Sequence, residues 1–371
     1  MPPPGSTHSK HEQHGFQSNQ DIMVGEFSSE SGINNLGLSQ TSLRNMYEDE
    51  DLISRALSQQ RSVVGFPIAR SNKVLDMDRK VEKRLKEKII LKNDLVKEMI
   101  AELIGTFVMV VLGCGSIAQA VLSRGILGQI ITINAGFSAA VALGVYVSGG
   151  VSGGHINPAV SFTMCFFGRM KWFKLPFYVA AQFLGAFLGA AALFGAYHDA
   201  LMNFAGGELI TYGENATAHI FATYPVSYLS VPNAFGEQVL SSMFLLLIVF
   251  AIFDDKNWRV PKGLEPFAIF MLILVLTCAL GMNGAAMNPA RDLGPRLFTA
   301  LAGWGLEVFR AGNNFWWIPV LGPVVGGVLG GFIYIYGIEI HHANPNPGQR
   351  LQKLEEKHEI SVIIFYPEET D

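Results

Sequence analysis

Two short polar stretches interrupt the apolar regions of this 371-residue chain, and both contain the triplet Asn-Pro-Ala. The first triplet is Asn157-Pro158-Ala159 within GGHINPAVSF, and the second is Asn288-Pro289-Ala290 within GMNGAAMNPARDLGPR. Proline suits the first turn of a helix, where its missing N–H is not needed, and asparagine suits the cap before it. A capping asparagine accepts through its carbonyl and still offers amide N–H groups to a passing molecule. The triplets therefore predict two helix starts that can donate hydrogen bonds.

A charged pair, Arg291 and Asp292, directly follows the second triplet. Charges within a membrane are unfavourable unless they face protein or water, so they indicate a functional site by default. The approaches to the triplets, from Gly149 to His155 and from Gly281 to Ala286 with Gly284 inside it, are rich in glycine. We expect extended backbone there, with carbonyls that form a row of acceptors. Such a lining replaces water's hydrogen bonds around neutral polar solutes, and its central positive potential opposes cations and protons.

The composition is that of a membrane protein. Half of the residues are hydrophobic and 16% are charged, which is too little charge for a soluble domain of this length. The net charge of −4 gives no indication of a nucleic-acid partner. The 3 cysteines lie in apolar segments without paired spacing. We therefore expect no disulfide framework, no metal site and no cofactor.

Six apolar segments of about 20 residues are long enough to cross the hydrocarbon core. They cover roughly 96–120, 129–148, 175–198, 234–253, 265–283 and 316–340. Two further stretches, at roughly 157–168 and 289–301, begin with the triplets and are too short to span. We predict that both are half-helices that dip into the membrane, which is tolerated where they line a cavity or are buried in protein.

The order span, span, half-helix, span occurs twice, over 96–198 and over 234–340. Because each half makes three crossings, the second half must be inverted relative to the first, which places a site near the midplane. Matching residues support the duplication: a GxxxG face at Gly185 and Gly189 and another at Gly326 and Gly330, with Glu102 paired to Glu237. The predicted fold class is an all-α membrane protein with six transmembrane helices and two re-entrant half-helices in an inverted repeat.

The two ends of the chain are polar. Residues 1–92 lack a helical or strand period, so we expect a disordered N-terminal tail, with a surface amphipathic helix at 75–92 as the alternative for its last part. The membrane domain then covers 93–342, and 343–371 is a C-terminal tail. Lys and Arg flank the first span, the first half-helix and the fourth span, whereas 199–233 contains neither. The positive-inside rule predicts cytoplasmic termini and places 199–233, with a glycosylation sequon at Asn215, outside.

These motifs resemble the major intrinsic protein (aquaporin) family. The resemblance covers about 95–342 and rests on SGGHINPAVSF and AMNPARDLGPRLFTALAGWG, while Asp292 is similar to the aquaglyceroporin branch. It implies the aquaporin fold and a passive plasma-membrane channel for water, glycerol, urea and other small neutral solutes. It also implies no catalysis and a homotetramer in the lipid bilayer with one pore per subunit.

The same resemblance implies a selectivity filter made of Phe137, Thr277, Ala285 and Arg291. Arg291 would stand at the narrowest point, where its fixed charge repels cations and its donors bind hydroxyl groups. The position that holds histidine in water-selective relatives falls at Leu276 or Thr277, and we choose Thr277. Neither side chain narrows a pore as histidine would, and small Ala285 also favours a wide filter.

Three acidic residues and one histidine near the triplets receive supporting roles from the resemblance. Glu102 and Glu237 look like buried glutamates that brace the half-helix loops, and Asp292 would orient its loop and half-helix. His155 is either an imidazole that faces the pore or a histidine hydrogen-bonded within its loop. We expect structural support rather than transport from the two glutamates.

Two other functions stay open from the residues alone. A coupled carrier can use the same inverted repeat but needs titratable groups that change exposure, and the candidates are Glu102, Glu237 and His155. A membrane scaffold with a closed pore would leave an arginine and two asparagines without a use. Solute flux that saturates and follows a pH gradient identifies the carrier, and absence of flux identifies the scaffold.

Overall fold

The structure is a computed structural model that describes Arg79, Lys80, Lys83 and residues 91–342. The three separate residues are helical and exposed, and they belong to a unit over Met1–Ile89 distinct from the unit over Ile90–Asp371. Apart from these residues, the predicted N-terminal tail over 1–92, its amphipathic helix at 75–92 and the C-terminal tail over 343–371 lie outside the described residues.

Residues 91–342 form a bundle of helices without strands. The helices are α1 (Asp94–Leu122), α2 (Ile130–Ser152), α3 (Pro158–Phe166), α4 (Leu175–Ala205), α5 (Val231–Ile252), α6 (Glu265–Ala279), α7 (Pro289–Thr299), α8 (Glu307–Asn314) and α9 (Ile318–Gly337). Single turns of tighter or wider helix occur at Trp172–Lys174, Ala218–Ile220, Ala300–Trp304, Phe315–Trp317 and Glu339–His341. The predicted order of spans and half-helices is confirmed, and α8 is an additional short helix that the hydropathy pattern does not indicate.

Five helical segments in the described range, those that contain α1, α2, α4, α5 and α9, are long and apolar enough to cross a membrane. Helix α6 is apolar but has 15 residues, which is about 22 Å of helix against a hydrocarbon core of about 30 Å. The span predicted over 265–283 therefore extends four residues beyond the end of the helix at Ala279. The helix stops at Ala279 because the next residues leave the helical conformation to form the approach to α7.

Close glycine contacts hold each half of the bundle together. Gly185 of α4 lies against the backbone of α1 at Leu103, and Gly326 of α9 lies against the backbone of α5 at Val239. A Cβ atom at either glycine would stand well inside van der Waals distance of a carbonyl oxygen. Both predicted GxxxG faces are therefore sites of close helix approach.

Helices α4 and α9 also hold the two half-helices, since α3 and α7 each pack against both of them. Gly294 of α7 lies on Ala186 of α4, and Gly327 of α9 lies on Thr163 of α3. Each half-helix is thus buried in protein, as irregular backbone at membrane depth requires.

Candidate pore and selectivity filter

Each half-helix begins at an asparagine that caps it. Asn157 Oδ1 accepts from the N–H of Ala159 at 2.9 Å, and Asn288 Oδ1 accepts from the N–H groups of Ala290 and Arg291 at 3.0 and 3.3 Å. A proline occupies the first helical position in both cases. The caps satisfy end N–H groups that would otherwise be unpaired in the bundle interior.

The two caps are also tied to each other's loops. Asn157 Nδ2 donates to the carbonyl of Met287 at 3.0 Å, and Asn288 Nδ2 donates to the carbonyl of Ile156 at 2.8 Å. Met287 and Ile156 have positive φ values of 49° and 43°, an unusual conformation that the surrounding structure must enforce. One N–H of each amide is therefore engaged in the protein. At most one N–H of each amide is then left for a solute.

A cavity of about 330 Å³ passes these two asparagines. Most of its remaining wall is apolar, with Met109, Val141, Val160, Leu245 and Ile273 among the side chains that line it. The residues predicted as the filter all line this cavity: Phe137, Thr277, Ala285 and Arg291. The cavity therefore combines an apolar wall with a small number of placed donors.

Arg291 is held against the cavity by contacts on two sides. Its Nη1 donates to the carbonyl of Phe221 at 2.8 Å, and its Cζ lies 4.5 Å from the ring centroid of Phe137. Among the described residues no carboxylate forms an ion pair with this guanidinium, because neighbouring Asp292 pairs with Arg296 instead. The positive charge of Arg291 therefore remains available to oppose cations in the cavity.

The two positions left open for the third filter residue differ in the structure. Thr277 lines the cavity, whereas Leu276 is buried in the core at 5% exposure. The hydroxyl of Thr277 donates to the carbonyl of Leu274 at 3.0 Å within α6. Ala285 follows in the approach to α7 with a left-handed φ of 48°. Neither side chain places bulk in the cavity. The expectation of extended backbone in the two approaches is wrong at Ala285 and at 149–152, which form the last turn of α2.

The loop between α4 and α5, which we call the outer loop after the side predicted for it, is attached to α7 by a buried ion pair. Arg296 Nε donates to Asp292 Oδ1 at 2.8 Å, and both side chains are fully buried. Asp292 Oδ2 accepts from the N–H of Thr223 at 2.8 Å, and Arg296 Nη1 donates to the carbonyl of Val308 at 2.6 Å. Thr223 lies two residues from Phe221, whose carbonyl receives Arg291. The pair therefore positions the loop whose Phe221 carbonyl holds Arg291, the arginine predicted for the filter.

Sequence reasoning missed Arg296, Thr223 and Phe221 in this network. Arg296 had a signal, since it follows Asp292 by four residues in a half-helix and can meet it on one face. The loop residues had none, because their contacts with α7 join positions about 70 residues apart. Burial raises the pKa of the Tyr224 hydroxyl beside this network, and its ring lies under Arg296.

The first half-helix loop is braced by Glu102, which is fully buried on α1. Its Oε2 accepts from the N–H of Ile156 at 2.6 Å and from Gln182 Nε2 at 2.7 Å. Its Oε1 accepts from the N–H of His155 at 2.9 Å and from the hydroxyl of Ser152. Four donors thus satisfy one buried carboxylate and hold the loop directly before Asn157.

The second loop is braced differently from the prediction. Glu237 is half-buried rather than buried, and it accepts from the N–H of Met282 at 2.8 Å, near the start of the loop. The buried position belongs to Gln238, whose Oε1 accepts from the N–H of Met287 at 3.0 Å and whose Nε2 donates to Asn283 at 2.8 Å. Adjacent residues of a helix point about 100° apart, so only Gln238 faces the loop end. Glu237 therefore contacts the loop as expected but is not buried, and the buried contact at the end of the loop is made by Gln238.

The remaining loop residues are divided between wall and support. His155 lines the cavity, and its Nδ1 also lies 3.0 Å from Ser161 Oγ, so the two alternatives for this residue hold together. Gly284 does not line the cavity. It adopts a φ of 87° with its Cα toward Thr223, where a Cβ atom would stand at 2.8 Å. Gly284 therefore allows the loop to pack against the outer loop.

A second cluster of charged residues lines the opposite end of the cavity. Arg169 pairs with Glu339, and both line this end together with Asp254. Asp254 Oδ2 accepts from the hydroxyl of Tyr334 at 2.9 Å and lies 2.7 Å from His342 Nε2. Burial alone would raise the pKa of the Asp254 carboxyl. Hydrogen bonds from the Lys256 backbone, Tyr334 and His342 stabilise the carboxylate more strongly, so the net pKa lies below its ordinary value.

The sequon lies in the outer loop, away from these contacts. Asn215 is half-buried, and its Oδ1 accepts from Arg124 Nη2 at 3.2 Å. Thr217 of the sequon is fully buried and accepts from Trp304 Nε1 at 3.1 Å. The first and third residues of the sequon thus anchor the loop.

Comparisons with known proteins agree with this geometry. The family model described as "Major intrinsic protein" matches residues 90–334. The chain is 65% identical over 286 residues to "Aquaporin-9" of Homo sapiens, covering 76% of this chain and 97% of the relative. It is 48% identical over 265 residues to "Aquaporin-10" of Homo sapiens, covering 71% of this chain and 88% of the relative. Among solved structures, the aquaglyceroporin from Plasmodium falciparum matches with a TM-score of 0.59 and 30% identity, covering 65% of this chain and 95% of that one.

Proposed function

The chain belongs to the major intrinsic protein family, and we propose that it is a passive channel for water, glycerol, urea and other small neutral solutes. The cavity supports this proposal best, because it passes both capping asparagines and the filter arginine and is otherwise mainly apolar. A solute such as glycerol has a hydroxyl face and a carbon face. The donors of Arg291 and the asparagines suit the first, and the ring of Phe137 suits the second.

The filter carries the selectivity in this proposal. Phe137, Thr277, Ala285 and Arg291 form its wall, and neither Thr277 nor Ala285 adds bulk. A wide filter admits glycerol and urea as well as water. Arg291 forms no ion pair within the part of the chain that the structure describes, and its positive charge, with the N-terminal ends of α3 and α7, opposes cations and protons. The pore performs no catalysis, so the protein acts as a channel and not as an enzyme.

The setting of the channel is part of the same proposal. The protein lies in the plasma membrane with both termini cytoplasmic, and the outer loop carries Asn215 as a glycosylation site. The pore domain covers 93–342, with cytoplasmic tails over 1–92 and 343–371. Large apolar side chains remain exposed on the helices, for example Ile104 at 43% and Val275 at 59%, and suit lipid or a second subunit. We assign a homotetramer with one pore per subunit.

The proposal is tested by the rates at which solutes enter proteoliposomes that contain the purified protein. Stopped-flow light scattering measures water and glycerol entry for the natural chain and for Thr277→His. The added imidazole narrows the cavity, and a barrier of about 1.4 kcal/mol lowers glycerol flux about tenfold. We expect the water rate to change far less, because water passes a narrower filter.

A matched control places the same ring on the next residue. Cys278→His alters α6 at an exposed position that does not line the cavity, so both rates should stay near those of the natural chain. Equal losses of water and glycerol flux in Thr277→His would contradict the filter assignment. Absence of both fluxes in the natural chain would contradict the channel itself.

A further inference from the structure

Helix α1 contacts the ring of Phe137 through Gly113, which has no side chain. This residue is buried, and a Cβ atom built on it would stand 2.7 Å from Cε2, 2.8 Å from Cδ2 and 3.0 Å from Cζ of Phe137. Real Cβ atoms essentially never approach carbon so closely, so the edge of the Phe137 ring occupies the space that any other residue would need. The position of the ring therefore depends on the glycine.

The ring has little freedom on its other side. The Arg291 guanidinium lies over its face with Cζ 4.5 Å from the centroid. Arg291 cannot withdraw easily, because its Nη1 bonds the carbonyl of Phe221 and its N–H bonds Asn288. A methyl group at position 113 must therefore displace the ring away from α1, and the cavity that Phe137 lines is the open space next to the ring.

The next residue of α1 supports the other member of this contact. Cys114 is fully buried, and its Sγ lies 3.5 Å from the Phe221 carbonyl oxygen, to which it donates. That oxygen also accepts from Arg291 at 2.8 Å. Two consecutive residues of α1 thus stand behind the filter, one behind the ring and one behind the carbonyl that fixes the guanidinium.

We propose that Gly113 is a specificity-determining residue that sets the width of the filter by seating the Phe137 ring, while Cys114 steadies the Phe221 carbonyl beside it. Gly113 touches no solute and acts through the ring, so it is a positioning residue. The proposal rests on the channel function proposed above and adds a residue outside the cavity wall to the determinants of selectivity.

The test compares Gly113→Ala with the natural chain in proteoliposomes, with rates normalised to the protein inserted. We expect the ratio of glycerol to water flux to fall about tenfold, which corresponds to an added barrier of about 1.4 kcal/mol for the larger solute. The control is Gly115→Ala on the same helix, where a Cβ atom would meet only Leu193 Cδ1, at an ordinary 3.7 Å. It should leave the ratio unchanged.

The Phe137→Ala background distinguishes an effect on the position of the Phe137 ring from a general loss of folding. In Phe137→Ala the clash is removed, so adding Gly113→Ala should change the flux ratio no further. If Gly113→Ala alone fails to insert, the double variant should insert again. The proposal is overturned if Gly113→Ala inserts and its ratio of glycerol to water flux is unchanged. It is also overturned if Gly113→Ala lowers that ratio equally in the Phe137→Ala background, or if the double variant also fails to insert. A natural chain without flux contradicts the channel function instead.

Discussion

Arg291 depends on residues that do not line the cavity. Its guanidinium is placed by the Phe221 carbonyl, and the loop that holds Phe221 is attached to α7 through Thr223, Asp292 and Arg296. Burial of a charge is tolerated when it is paired and its remaining hydrogen-bonding groups are satisfied. Here both partners are fully buried and each makes further bonds. The proposed filter is therefore supported by a small, buried electrostatic network on α7.

Asp292→Asn tests this network through stability. The change keeps the shape of the side chain but leaves the buried charge of Arg296 without its partner. Breaking one side of a buried pair lowers the free energy of unfolding by about 3–5 kcal/mol. We expect a clear decrease in the unfolding temperature in detergent, measured by intrinsic fluorescence.

An exposed pair provides the comparison for that variant. Glu307 lies 3.9 Å from Arg310, with the two side chains 48% and 71% exposed. Such pairs contribute about 1 kcal/mol or less, so Glu307→Gln should unfold close to the natural temperature. If Asp292→Asn were as stable as Glu307→Gln, the network could not be the support of the outer loop.

The helices are positioned by close backbone contacts repeated in both halves. Helix α4 lies on α1 through Gly185, and α9 lies on α5 through Gly326. These crossings matter for the pore because α4 and α9 also hold α3 and α7. A shift of either long helix would separate the capping asparagines from the carbonyls that they bond across the axis.

Gly326→Ala tests one of these crossings. The added methyl group would meet the backbone of α5 at Val239 and Met243, which cannot move without distorting the helix. Overpacking of this kind destabilises by about 1–3 kcal/mol or more. We expect less folded protein and a lower unfolding temperature. Gly195→Ala on α4 is the control, because a Cβ atom there has nothing within 4 Å; equal stability of the two variants would rule out the close crossing.

The elements that hydropathy and proline specify could be predicted, and those that tertiary contacts specify could not. The triplets predict the starts of α3 and α7 because asparagine and proline act locally on a helix end. The end of α6 was placed too late because the residues after Ala279 remain apolar although they leave the helix. Gln238 was missed because the sequence does not show which of two adjacent side chains faces a loop 49 residues away.

The inverted arrangement gives the bundle two ends with different charges. The loops beside Arg169 and Asp254 carry Lys171, Lys174, Lys256, Arg259 and Lys262, whereas the loop from 206 to 230 at the filter end contains neither Lys nor Arg. The proposed orientation places the filter outside and the end of the cavity lined by Arg169 and Asp254 in the cytoplasm. The loop between α4 and α5 exposes Tyr228 at 75%, and the loop between α5 and α6 exposes Trp258 at 94%. These two residues allow each end of the bundle to be labelled.

Tyr228→Cys and Trp258→Cys test the orientation in intact cells. Each is made in a Cys278→Ser background, because Cys278 is exposed and would react with the label, whereas Cys114 and Cys165 are buried. A membrane-impermeant maleimide should label Tyr228→Cys directly and Trp258→Cys only after the membrane is permeabilised. The reverse pattern would place the termini and the outer loop on the opposite sides from those proposed.

Passive conduction is tested most directly by the concentration and pH dependence of glycerol flux into proteoliposomes that contain the natural chain. A pore between two fixed half-helices predicts an initial rate that rises in proportion to glycerol concentration and is the same with and without an imposed pH gradient. A rate that saturates and increases with the gradient would contradict it. That result would assign the protein as a coupled carrier, with Glu102, Glu237 and His155 as the groups to examine.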